Sequence, residues 1–221
     1  MKKLILALAF VACGLFSATS QAGVQLADYR LNVDGVTSYT AAGVNLAGFS
    51  TTTGLGTITA TFTSPGAHYF GLFVDHEIDE TINGFINEIG SVTGAPASGQ
   101  SWEIDEPGFV LGNIFANFGA SSLDNTNNST LPDDVSMALA WNFTLLADEQ
   151  ATITMLVSQT APLSGFYLTH TDPNSNSSIY FSSGLSIVPT GGGVVPEPSS
   201  WLIILGLVGV SMKIRRRVVK N

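Results

Sequence analysis

Beyond residue 22 this chain has no cysteine, and between residues 4 and 212 its only lysine or arginine is Arg30. The first absence excludes disulfides, cysteine nucleophiles and thiolate metal sites downstream of residue 22, so a domain there must be held by its core. The second excludes a nucleic-acid or anionic-lipid surface on that domain. Sixteen carboxylates fall between residues 23 and 195 against one guanidinium, a formal charge of −15, and such a field repels phosphates. Charged residues make up only 11% of the 221, against about 25% in ordinary soluble proteins. The chain also lacks a Gly-x-Ser-x-Gly elbow, a phosphate-binding loop, a dinucleotide fingerprint and any internal repeat.

The two ends carry what the middle lacks. Met1-Lys2-Lys3 precedes an apolar run from Leu4 to Phe16, and small or polar residues follow to Ala22. A basic start, an apolar stretch and a small-residue exit form the pattern of a secretory leader. Ser20 and Ala22 occupy the two positions where a signal peptidase needs small side chains, which predicts a cut between Ala22 and Gly23; a cut after Ala18 is the alternative. The lone Cys13 lies inside this leader, and Phe10-Val11-Ala12-Cys13 lacks the leucine that a lipidation site carries three residues earlier.

At the other end Gly191 to Gly193 form a hinge before Pro196-Glu197-Pro198, the apolar run Trp201 to Met212, and the basic group Lys213, Arg215, Arg216, Arg217 and Lys220. Twelve apolar residues make about 18 Å of helix, short of the roughly 20 residues of an ordinary span. Counting from Ser199 to Ile214, with snorkelling arginines and Trp201 at the interface, gives a thin transmembrane helix. Basic flanks stay cytoplasmic, so the middle of the chain is predicted to face outward, in agreement with the leader. The prolines keep residues 196 to 198 extended and open to a protease.

This three-part ending resembles the PEP-CTERM sorting signal, over about 25 residues. The resemblance implies recognition by an exosortase, cleavage near Pro196 to Pro198, and a Gram-negative exporter that makes exopolysaccharide. The middle is similar to domains of other PEP-CTERM proteins in three runs, Gly71 to Asp79, Ser101 to Pro107 and Asp134 to Trp141. That similarity implies no established activity and supplies no catalytic residues.

Four segments follow: a leader at 1–22, an extracellular domain at 23–189, a Gly/Pro linker at 190–198, and a helix with basic tail at 199–221. The domain reads as mainly β, an antiparallel, jelly-roll-like sandwich with one or two short helices. Strands are predicted at 56–63, 68–75, 134–145, 151–158, 165–170, 178–181 and 184–188. In the first, Ile58, Ala60 and Phe62 share one face and four threonines the other. Ala147 to Gln150 suggests a hairpin between two of these runs. Ile78, Ile82, Phe85, Ile86 and Ile89 recur at helical spacing, predicting a helix over 79–90, and 113–118 suggests another helical turn. Residues 121 to 133 read as a polar loop.

Chemistry-bearing residues are few. In Asp75-His76-Glu77-Ile78-Asp79-Glu80, a strand would place Asp75, Glu77 and Asp79 on one face, three hard oxygen ligands suited to calcium. The spacing of a calcium-binding loop is missing, and Glu80 stands where a zinc-protease motif has its second histidine. A solvated acidic edge accounts for the same residues. Glu103, Asp105 and Glu106 form a second acidic group; carboxylate pairs also serve glycosidases at a set separation, and Glu77 or Glu103 would be the residues to change in testing for one. His68 and His170 read as hydrogen-bonded structural residues. Trp102, Trp141, Tyr167 and Tyr180 could stack on sugar rings or fill the core. The expected function is a non-enzymatic surface or matrix protein. Signal peptidase and exosortase would process it, its C-terminal helix would hold it in the membrane, and exopolysaccharide would be its surroundings. The alternatives are a carbohydrate-binding sandwich with a calcium-assisted acidic site, and an exported hydrolase; no cofactor other than calcium is called for.

Overall fold

The computed structural model describes residues 23–108 and 111–191. The expected leader with Ala22, the segment Pro196 to Pro198, the apolar run and the basic group Lys213, Arg215, Arg216 and Arg217 lie outside the described residues. Gly23 is the first residue inside them. Among the described residues no helix is long and apolar enough to cross a membrane.

The described chain is mainly β. A five-stranded sheet runs in the order β2 (Val36–Ser38), β1 (Val24–Val33), β5 (Gly66–Ile78), β8 (Ser136–Leu145) and β7 (Gln100–Asp105). A six-stranded sheet runs β3 (Val44–Phe49), β4 (Gly56–Phe62), β9 (Glu149–Ser158), β11 (Ser177–Pro189), β10 (Tyr167–Asp172) and β6 (Ile89–Thr93). Every neighbouring pair is antiparallel. The sheets face each other, sandwich-like, across one apolar core. Leu31, Phe70, Leu72 and Leu139 meet Ile58, Ile153, Met155 and Phe181 there. The alternation expected on β4 holds: Ile58 and Ala60 are wholly buried and Phe62 packs on the same core.

β5 has no polar face in its middle because both its faces are covered. Phe70, Leu72 and Val74 point into the core. Tyr69 and Phe73 point outward and are roofed by Ile114 and Phe118 of α2 (Ile114–Gly119) together with Leu123. Helix and sheet approach closely at Gly71, where a β-carbon would stand 2.8 Å from Phe118 Cε2.

The longest strands, β5 and β11, have 13 residues each, or about 40 Å at ~3.3 Å per residue. They define two poles. Gly66, Leu145, Asp148 and Pro189 lie at the proximal pole, where the described chain ends at Gly191. Gly23, Ile78, Asn83 and Asp172 lie at the distal pole.

Two local expectations fail. The predicted helix over 79–90 is reduced to α1 (Glu80–Asn83), because Asp79 and Gly84 both take positive φ, 56° and 80°, and stop it at either end. Ile82 and Ile86 are then 80% and 67% exposed, and Ile89 opens β6 instead of extending a helix. The predicted hairpin at 147–150 is a crossover between sheets. Both edges of β8 are taken, by β5 and β7, so Leu146 to Asp148 carry the chain to β9 in the opposite sheet. The loop at 121–133 is irregular as expected, yet Leu123 and Ser129 are buried. The Asn125 amide donates to Trp102 O and the Asn128 amide to Ile104 O, covering the free edge of β7.

Candidate cation-binding group

Strand register builds this group on the outer face of the five-stranded sheet. Asp28, Asp75, Ser136 and Asp105 stand in one row across β1, β5, β8 and β7. Ser136 Oγ donates to Asp75 Oδ1 at 2.7 Å, and Asp75 is buried. Two residues further along β5, the same register sets Glu77 opposite Asp134, just before β8 begins. Asp75, Glu77 and Asp134 each bring a carboxylate oxygen within 4.8 Å of the others. Three oxygens within that limit lie at most about 2.8 Å from a common centre, close to the calcium–oxygen distance of about 2.4 Å.

Among the described residues no lysine or arginine neutralises them. Arg30, the only lysine or arginine in residues 23–191, pairs with Asp28 and lies 3.7 Å over the ring of Tyr39. Glu77 Oε2 and Asp134 Oδ1 are buried without a hydrogen-bond partner. Burial first, and the neighbouring carboxylates second, raise all three acids. Asp75 is pushed up to about 7 despite the Ser136 hydroxyl, Glu77 to about 8 and Asp134 to about 6. Near neutral pH the group therefore holds protons or a cation in their place.

The sequence pointed to Asp75 and Glu77 but paired them with Asp79. β5 ends at Ile78, and Asp79 turns away in a left-handed conformation to accept a hydrogen bond from Gly23 N. Asp134 takes its place. The available signal was the antiparallel pairing of two strands already visible as apolar runs, once their register is set.

The second acidic group does other work. Glu103 is wholly buried, accepts from Asn117 Nδ2 at 3.0 and 3.1 Å, and is pushed up to about 7 by burial. Asp105 accepts from the amides of Glu106 and Asn113. Both tie α2 to β7. The histidines are structural in the same sense. His68 bonds Asp34 and the Ser64 carbonyl, and His170 Nε2 lies 2.5 Å from Glu88 Oε2, both groups fully buried. His76 faces the core against the backbone of Thr53 and Gly54, and burial lowers it to about 3. Among the aromatics Trp141 is buried with its indole N–H on Ser183, and Trp102 packs on Phe166. Tyr167 and Tyr180 form a half-buried edge-to-face pair on the outer face of the six-stranded sheet.

No protein-family model, no curated protein and no solved structure matches this chain. The class defined by fold and site is a mainly β domain of two antiparallel sheets with a convergent carboxylate group on an outer face.

Proposed function

We propose that the chain is an exported cell-surface or matrix protein, non-enzymatic, processed at both ends and associated with exopolysaccharide. The observation that carries this is the ending: Pro196-Glu197-Pro198, the apolar run to Met212 and the basic group through Arg217, opposite a leader ending at Ala22. Signal peptidase and an exosortase are the processing enzymes, and the C-terminal helix holds the precursor in the membrane until the cut. The placement of the described ends supports this use. The chain leaves the domain at the proximal pole, so a tethered domain points the distal pole and its carboxylate group away from the membrane. A jelly-roll-like sandwich is the finer form we propose for the two sheets. Mass spectrometry of the exported product from an exosortase-containing host is expected to give a chain starting at Gly23 and ending near Pro196. A mature product that retains Arg215 to Arg217 overturns the sorting proposal.

The convergence of Asp75, Glu77 and Asp134 favours one alternative, a carbohydrate-binding domain assisted by calcium at that group. A glycan array probed with and without calcium separates the two. Glycan binding that is lost with EDTA and with Asp134→Asn supports the alternative, and an array without signal supports the surface-protein proposal. For the hydrolase alternative the test is turnover of any polysaccharide that Glu77→Gln or Glu103→Gln abolishes.

A further inference from the structure

The first described residue is held by a two-way contact. Gly23 N donates to Asp79 Oδ1 at 2.6 Å, and the Asp79 amide donates back to the Gly23 carbonyl at 2.8 Å. Asp79 does so from a left-handed conformation, φ 56°, that few non-glycine residues adopt. The pair borders a cavity of about 140 Å³ at the distal pole, lined by Gly23, Gln25, Glu77, Asp79 and Glu80 among others. Asp79 accepts from this N–H directly and Glu80 lines the same cavity, while the one guanidinium of the described residues is engaged elsewhere, with Asp28.

Cleavage between Ala22 and Gly23 alters that N–H. Water adds across the peptide bond, its hydroxyl going to the Ala22 carboxyl and its hydrogen to the Gly23 nitrogen, which takes up a further proton at neutral pH. One neutral donor becomes three charged ones beside the same oxygens. We infer that the cavity bordered by Asp79 and Glu80 is a binding site for the chain's own α-ammonium, so that removal of the leader fastens the distal pole. The inference rests on the proposed leader cut and gives the new terminus a structural role.

The test compares two chains in detergent and EDTA, one from Gly23 to Asn221 and one beginning at Ala22. The Gly23 chain is expected to melt about 2–4 °C higher, and Asp79→Asn to erase the difference. Equal melting temperatures, or a gap that survives Asp79→Asn, overturn the inference. Amine labelling at pH 7, with Lys213 and Lys220 as internal references, needs no variant. The Gly23 amine is expected to react about threefold more slowly than the Ala22 amine of the longer chain, and equal rates overturn the inference. The exported protein's N-terminal mass judges the cut separately. A start other than Gly23 overturns both the cut and the inference, whereas a Gly23 start with equal melting overturns the inference alone.

Discussion

Calcium at about 10 mM is expected to raise the melting temperature by about 5–10 °C at pH 8 and to leave it unchanged at pH 5. The magnitude follows from an ion near 100 times its dissociation constant, about 10⁻⁴ M for an extracellular site, in a domain of this size. The pH contrast follows from the carboxyls. Asp75, Glu77 and Asp134 are raised to about 7, 8 and 6, so the ion-free fold holds protons that the unfolded chain, titrating near 4, has released. Their stabilisation is complete below about 4 and is lost as pH rises through 6 to 8. The ion-free protein therefore gains stability as pH falls from 8 to 6.5. Below 6.5 His76 opposes the trend: the unfolded chain protonates it, while the folded one, with His76 lowered to about 3, does not. Calcium needs the carboxylates ionised, so it replaces the protons at pH 8 and loses to them at pH 5.

One substitution separates a cation group from a merely acidic surface. Asp134→Asn removes a ligand oxygen charge and also relieves repulsion within the group. Without calcium at pH 8 the variant is expected to melt at or above the unsubstituted protein, and with calcium to keep less than half of the shift. Differential scanning calorimetry with matched sodium chloride checks both. A calcium shift reproduced by sodium chloride, or retained in full by Asp134→Asn, rejects the site.

Why the sequence carried some of this and hid the rest is visible in particular strands. β4 was legible because one face of a two-layer fold stays wet, so its threonines and apolar residues alternate cleanly. β5 was legible for the opposite reason, an apolar run covered on both sides. β1 escaped. Its register shifts between Leu26 and Asp28, so the inward set passes from Val24 and Leu26 to Tyr29, Leu31 and Val33, and no period of two survives across the bulge. Asp34-Gly35 between Val33 and Val36 was a readable hairpin signal, both residues at positive φ. Ile82, Phe85 and Ile86 read as a helix face, and the glycine among them, Gly84, was the one local sign against it. Gly84 at φ 80° breaks the segment, and among the described residues no surface takes up the apolar side chains. The carboxylate group was half legible because Asp75 and Glu77 are neighbours in sequence. Asp134 joins them only through strand pairing over nearly 60 positions, which composition and spacing do not encode.

Phe118→Ala is expected to lower the melting temperature by about 10 °C, from a loss of roughly 3–5 kcal/mol typical of a buried Phe truncated to Ala. α2 has six residues and no side-chain cap at its N-terminus, so it has little helical stability of its own and rests on Ile114 and Phe118. Removing the ring opens a void against Tyr69, Phe73 and Gly71. A double-mutant cycle tests this geometry. In the parent chain Gly71→Ala forces a methyl to within 2.8 Å of Phe118 Cε2 and destabilises; beside Phe118→Ala that clash is gone, and only the milder 3.2 Å contacts with Ala140 Cβ and Tyr69 Cε1 remain. The double variant is expected to be more stable than the sum of the single losses predicts, and strict additivity rejects the packing of α2 on β5. Loosening α2 also withdraws Asn117 from Glu103 and lets water reach that carboxyl, returning it from about 7 toward its ordinary range. The gain in melting temperature between pH 8 and 6.5 should then shrink in Phe118→Ala, because one of the buried acids that produces it has become an ordinary exposed one.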